Sequence, residues 1–267
     1  MSYRTLSTLT MTGGPDALDA AADCARRWSA HLDVTVGAQT RTEPAIMFAP
    51  EMGIAEETLV QDAIEALDRA EAETRARLKG EGFGWSVRTE IVRSADTLRR
   101  IALGHRFSDL AILPAPGEDR GAQDMLEAVL YNTRVPVLVL REGFEPSFDR
   151  IVLAWDESDV ALAAIRAALP LLRQAASVGI VAVDPDSDTS GHELAVMLDR
   201  AGVTAPVTPV ASSGRPIPKV LESHARDVDA DLIVMGAYGH NRLREIVLGG
   251  VSRTMLHDAP VPLLVAR

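Results

Sequence analysis

The chain is short of three things, and each shortage closes off a class of function. It has one cysteine, Cys24, in 267 residues. A lone thiol cannot close an internal disulfide, which fits a reducing compartment rather than a stapled secreted scaffold. Cys24 lies in an alanine-rich helical pattern and reads as a small core residue, not a nucleophile. Aromatics are 4% of the chain, too few for the stacking platforms that hold single-stranded nucleic acids. Positive charge is also scarce: 27 Lys and Arg against 38 Asp and Glu leave a formal net charge of -11. That excess repels DNA and RNA. No apolar run approaches the ~18 residues of a membrane span, and MSYRTLSTLTMTGG is too polar for a signal peptide. The expectation is a soluble, cytoplasmic protein with neither a nucleic-acid nor a membrane partner.

Hydrophobic residues are plentiful, at 47%, and the length exceeds that of a usual single domain. The chain then repeats itself. RIVLAWD (Arg150–Asp156) is a short apolar run that reads as a buried strand, with Ser158 as N-cap of the helix VALAAIRAALPLLRQA. SVGIVAVD, APVTPVAS, DLIVMG and VPLLVAR follow as strands; HELAVMLDRAG, IPKVLESHARD and SRTMLHDA read as helices between them. The first half has the same order, from the strand YRTLSTLTMT through a long helix after EETLV and a helix MLEAVLYNT to the strand VPVLVLR. The endings SDLAILPA…RVPVLVLR and ADLIVMGA…PVPLLVAR carry the repeat most clearly, and REGFEPSFDR separates the halves. Alternating strands and helices imply α/β architecture with parallel sheets covered on both faces. The expected layout is two tandem five-stranded Rossmann-like domains, residues 1–142 and 149–267, each with strand order 3-2-1-4-5. Ligands of such sheets bind past the strand tips where the order reverses, between strands 1 and 4.

In the second half that position holds GAYGHNRLREIVLGGVS (Gly236–Ser252). Glycines let a ligand approach the backbone, and a helix N-terminus offers unpaired N–H groups with partial positive charge. Gly236 and Gly239 would turn the chain, and Gly249 and Gly250 would lead into a helix near Val251, with Ser252 adding a hydroxyl. The arrangement suits a phosphate. The other reading is that the glycines only serve tight turns and close helix–sheet packing. The stretch is neither a P-loop nor G-x-G-x-x-G.

The spacing of Gly236, Gly239 and Gly249, followed by Val251 and Ser252, resembles the nucleotide-binding motif of the universal stress protein family. RIVLAWDESDVALAAIRAAL resembles that family's opening, with Asp156 in the place of an adenine-contacting aspartate, and HDAPVPLLVAR resembles its end. The resemblance implies an adenine nucleotide, ATP or a relative, with Mg²⁺ if it is a triphosphate. Asp156 and backbone groups at Ala154 and Val183 would serve the base; Gly236, Gly239, Gly249, Gly250, Val251 and Ser252 would hold ribose and phosphates, with Arg242 as a charge partner. It also implies that the fifth strands meet across an intramolecular pseudo-dimer, VPVLVLR against VPLLVAR. There are departures. Gly250 replaces a Ser or Thr, and Glu157 stands where glycine is common. In the first half Pro114 replaces Gly236, the glycine pattern is missing, and Glu118, Asp119 and Asp124 would repel phosphates. No ATP is expected there.

Other constellations fail on chemistry. DPDSDTSGHE lacks the glycine and glutamate of an EF-hand. The six histidines show no metal-ligand spacing, and no nucleophile elbow or activated cysteine is present. His240 could meet a phosphate or stand in solvent. Asp156 could instead cap the helix after its strand. The apolar stretch 43–55, with Ile46, Met47, Phe48 and Met52, marks a partner contact or folds onto the core. The resulting expectation is a stress-response regulator with a nucleotide site in its second half and slow ATP hydrolysis at most. Its rivals are a non-binding adaptor with a protein partner and a nucleotide-using enzyme. Association into a homodimer stays open.

Overall fold

The structure is a computed structural model that describes residues 2–39, 53–92, 95–141, 147–187, 189–237 and 250–267. The first half runs β1 (Thr5–Met11), α1 (Leu18–Trp28), β2 (His31–Gln39), α2 (Gly53–Leu78), β3 (Trp85–Val92), α3 (Ala95–Gly104), β4 (Leu110–Pro114), α4 (Arg120–Thr133) and β5 (Val137–Leu140). The second runs β6 (Arg150–Trp155), α5 (Asp159–Leu172), β7 (Ser177–Val183), α6 (Thr189–Arg200), β8 (Val207–Val210), α7 (Ile217–Asp227), β9 (Leu232–Gly236), α8 (Gly250–Asp258) and β10 (Leu263–Ala266). The α/β alternation is as expected. Helix α4, however, begins at Arg120, well before the apolar run at Met125. Asp119 is its N-cap, accepting the Ala122 N–H at 2.7 Å, and a cap decides a helix start more strongly than side-chain periodicity does.

All ten strands form one sheet, ordered β3-β2-β1-β4-β5-β10-β9-β6-β7-β8. Each half has the 3-2-1-4-5 order, and every pairing within a half is parallel. The halves join where β5 pairs antiparallel with β10, Leu138 opposite Leu264. This is the expected pseudo-dimer. Alternate residues of each strand feed two cores. One lies between the sheet and α1, α2, α5 and α6; the other lies between the sheet and α3, α4, α7 and α8. At the seam Leu138 and Leu264 enter the first core, Val137 and Val265 the second, and all four are fully buried. Burying one such side chain contributes about 2 kcal/mol, against about 1 kcal/mol net for a ladder hydrogen bond. The two cores hold the seam, and the ladder sets its register.

Longer side chains cross the seam at equivalent places in the repeat. Arg141, just after β5, donates to the His257 carbonyl of α8 at 2.7 Å. Arg267, just after β10, lies 4.3 Å over the Tyr131 ring of α4. The Tyr3 hydroxyl donates to the Ala167 carbonyl of α5 at 2.8 Å, and Tyr3 packs on Trp28, which stacks on Phe148. The few aromatics are thus partly spent on joining the halves. A second repeated device ties strand starts together. Asp109 accepts the Arg4 and Thr5 N–H groups, and Asp231 accepts those of Asp149 and Arg150, all at 2.7–3.0 Å. Cys24 is buried, and burial pushes its thiol up to about 12, so it is an inert core residue. The outer edge strand β8 carries Pro209, which cannot extend a ladder.

His105, in a 3-10 turn after α3, is wholly buried beneath β1. Its Nδ1 lies 2.8 Å from the Ser7 Oγ, which lies 2.7 Å from the Ser108 Oγ, and its Nε2 has no partner among the described residues. Burial, and then the Arg88 guanidinium, lower its pKa to about 4, with Asp33 opposing them weakly. The unfolded chain therefore binds more protons below its ordinary value of about 6.5, and stability falls as the pH drops from there to about 4. From this group alone, unfolding free energy should fall by about 2 kcal/mol between pH 7 and pH 5. Urea titrations across that range should show a markedly flatter profile for His105→Gln; equal slopes would contradict the buried, neutral imidazole.

Candidate ligand-binding site

Strand order reverses between β6 and β9, so the crevice past their tips is where a ligand is expected. Three segments meet there. The first follows β6. Asp156 accepts the N–H and hydroxyl of Ser158 on one oxygen, at 3.1 and 2.5 Å. Ser158 in turn caps α5 by accepting the Ala161 N–H at 3.1 Å. Asp156 therefore braces the capping residue, while Ser158, as the sequence predicts, is itself the N-cap of α5. Glu157 between them has φ 64°. A side chain is disfavoured in this left-handed conformation by roughly 1–2 kcal/mol, which is a physical reason for glycine to be preferred here.

The second segment is the tip of β9. A Cβ on Gly236 would stand 2.7 Å from the Ala161 nitrogen and 2.8 Å from the Val160 side chain. The first turn of α5 fills the space where a larger residue would sit, so close packing accounts for this glycine. The third is the start of α8. Because β9 and β10 are parallel, α8 runs back against them, and its N-terminus lies at the edge where β9 ends. Gly250 is exposed, with nothing described within 4 Å of where a Cβ would be. Val251 is half-buried against the second core, and Ser252 is 9% exposed. Ala154 and Val183 face that same core. Gly239, Arg242 and Gly249, like His240, Arg244 and the apolar residues Ile46 to Met52, lie outside the described residues.

A hollow of about 210 Å³ opens past the tips of β6, β7 and β8. It brings Asp156 and Val183 together; Ala154, Gly236, Gly250, Val251 and Ser252 are not in its wall. The wall also holds Trp155, Glu157, Asp184 and Asp186, none of them singled out from the sequence as site residues. The Trp155 indole donates to the Ser190 hydroxyl at 3.1 Å. Asp184 accepts the Ser212 N–H at 2.8 Å, and its bonds to Ser212 hold its carboxyl below the usual range. The signal that would have pointed to these residues is the run DPD directly after a strand. The rim is acidic, yet the described residues hold no group of three or more side chains able to bind a metal ion. In the first half the counterpart of Gly250 is the start of α4, where the Asp119 carboxylate already occupies the helix end.

The description "Universal stress protein family" belongs to the family model that matches residues 147–267. A universal stress protein of Mycobacterium tuberculosis is 29% identical over 190 residues, which are 70% of this chain and 57% of that protein. One of Synechocystis is 25% identical over 150 residues, covering 53% of this chain and 50% of its own length. The chain thus spans about half the length of these curated relatives. Among solved structures, a universal stress protein from Archaeoglobus fulgidus superposes with TM-score 0.70 at 18% identity, covering 98% of both chains. A second, described as a putative universal stress protein from Pseudomonas aeruginosa, gives TM-score 0.63 at 15% identity over 99% of this chain and 93% of its own. These likenesses span both halves and show the fold.

Two substitutions separate the roles of the β6 and β9 tips. Glu157→Gly should raise the unfolding free energy by about 0.5–1 kcal/mol, as relief of the left-handed strain outweighs the added freedom of the unfolded chain. Gly236→Ala should lower it by about 1–3 kcal/mol through overpacking against α5. Urea midpoints would report both; opposite signs would refute the backbone argument.

Proposed function

From the match of residues 147–267 to the universal stress protein family model, we propose that the chain is a stress-response regulator that binds an adenine nucleotide at the β6–β9 crevice of its second half. The observation that carries this is the start of α8. No described residue lies within 4 Å of where a Gly250 Cβ would be, the helix follows the glycine spacing of a phosphate cradle, and it lies at the switch point of the sheet. The N–H groups of Gly250, Val251 and Ser252 would take phosphate oxygens, with the partial positive charge of the helix end behind them. Asp156 and the backbone at Ala154 and Val183 would serve the base, with Gly239, Arg242 and Gly249 completing the cradle. A triphosphate would bring Mg²⁺, which would offset the acidic rim at Asp156 and Glu157. Bound nucleotide would order this edge of the sheet and alter the surface shown to a protein partner. The division of labour is between residues 149–267, which bind, and residues 1–142, which complete the sheet and leave ATP alone.

That acidic rim supports one other reading, an adaptor that has lost nucleotide binding and works through protein contacts. Gly250→Glu discriminates. A carboxylate on the first turn of a helix is compatible with folding and favoured by the helix dipole. It would also stand where a phosphate is expected, and repulsion between like charges at about 4 Å is worth a few kcal/mol at a protein surface. Calorimetric titration with ATP should show binding to the wild type and at least tenfold weaker binding to Gly250→Glu, with the melting temperature unchanged or raised. Equal affinity would contradict the cradle, and no heat with either protein would favour the adaptor.

A further inference from the structure

The two outer edges of the sheet differ. β8 is short and carries Pro209. β3, WSVRTEIV, is an eight-residue strand without proline or glycine, and among the described residues it has β2 on one side and no strand on the other. The Gly84 carbonyl accepts the Leu32 N–H at 2.9 Å, so the backbone groups of Ser86, Arg88 and Glu90 also face β2, and those of Val87, Thr89 and Ile91 face outward. The Val87 carbonyl agrees: it accepts a bond from the Arg75 guanidinium of α2 at 3.3 Å. On the face toward α3 the strand carries opposite charges in alternate places. Arg88 is exposed and donates to the Thr35 hydroxyl at 2.8 Å; Glu90 pairs with Arg100 of α3 at 3.2 Å.

We propose that β3 pairs antiparallel with β3 of a second copy of this chain, about a two-fold axis at Thr89. Charge selects that register. With the axis at Thr89, each Arg88 lies opposite a Glu90, in the type of pair where side chains approach most closely. Moving the axis by one residue sets Arg88 against Arg88 or Glu90 against Glu90, which is repulsive. The outward groups of Val87, Thr89 and Ile91 then bond to those of Ile91, Thr89 and Val87 of the copy. A strand complementary to itself is what a two-fold interface requires. Arg75 leaves the Val87 carbonyl as the copy arrives, exchanging one long, exposed bond for a ladder. The neighbouring helix fits as well. Ile64 lies three turns before Arg75 on the same stripe of α2. It is half-buried, and among the described residues it packs against neither core. The copy brings its own α2 alongside. This inference stands whether or not the second half binds a nucleotide.

Sedimentation of the full chain over a range of about 1 to 200 µM tests it. The mass should climb from 28.6 kDa toward twice that value. Thr89→Pro removes the N–H nearest the axis and spares the ladder to β2, and Glu90→Arg sets like charges opposite each other. Each should weaken association roughly tenfold or more, with the circular dichroism spectrum unchanged. Mixing Glu90→Arg with Arg88→Glu should restore a dimer, because every charge then meets its opposite. Under oxidation Thr89→Cys should give a covalent dimer and Ser86→Cys should not, Cys24 being buried. The proposal is overturned if the wild type stays at 28.6 kDa throughout. It is equally overturned if Thr89→Pro and Glu90→Arg associate like the wild type, or if Ser86→Cys cross-links as readily as Thr89→Cys.

Discussion

The antiparallel contact of β5 with β10 is the constraint on which the rest of the structure depends. Strands of four residues each, Val137–Leu140 and Leu263–Ala266, convert two five-stranded parallel sheets into one. Left unpaired, each would be an apolar edge with open N–H and C=O groups, an invitation to aggregate. Paired, they become the centre of the sheet, with a continuous core on each face. The molecule's real edges are then β3 and β8, of which β8 is short and interrupted by proline.

This arrangement frees the two halves to diverge. Each needs its partner's fifth strand to complete the sheet. The contacts that join them keep the symmetry of the repeat, with Arg141 and Arg267 reaching across from equivalent positions, and within each half Asp109 and Asp231 clamp equivalent strand starts. The crevices do not keep it. One helix start, at Gly250, has no described residue over it; the other is capped by the Asp119 carboxylate. Symmetry persists where the fold requires it and is lost where only a ligand would.

Much of this was legible from residue patterns. The repeated endings RVPVLVLR and PVPLLVAR pointed to the seam, because an apolar run flanked by Pro and Arg recurs at the same place in each half. Burial of Cys24 followed from its alanine-rich surroundings. Other features left no trace in the pattern. Helix α4 starts at a polar stretch because one carboxylate caps it, and hydrophobic periodicity is blind to that bond. Gly236 was open to two readings, and only the approach of α5 to β9 shows how tightly it packs. His105 in RIALGHRFSD looks like any loop histidine; its burial depends on Ser7, nearly a hundred residues earlier in the chain. The stretch DPDSDTSGHE only failed as a metal loop, and Asp184 and Asp186 become part of a hollow when Trp155 is brought beside them.

The central claim is that one sheet carries two crevices of which only the second accepts a nucleotide. Amide hydrogen exchange with and without ATP tests it in a single experiment. The account predicts slowed exchange at Val251 to Thr254 in the first turn of α8, with Gly121 to Gln123 of α4 unchanged. Protection at both helix starts, or at neither, would contradict it.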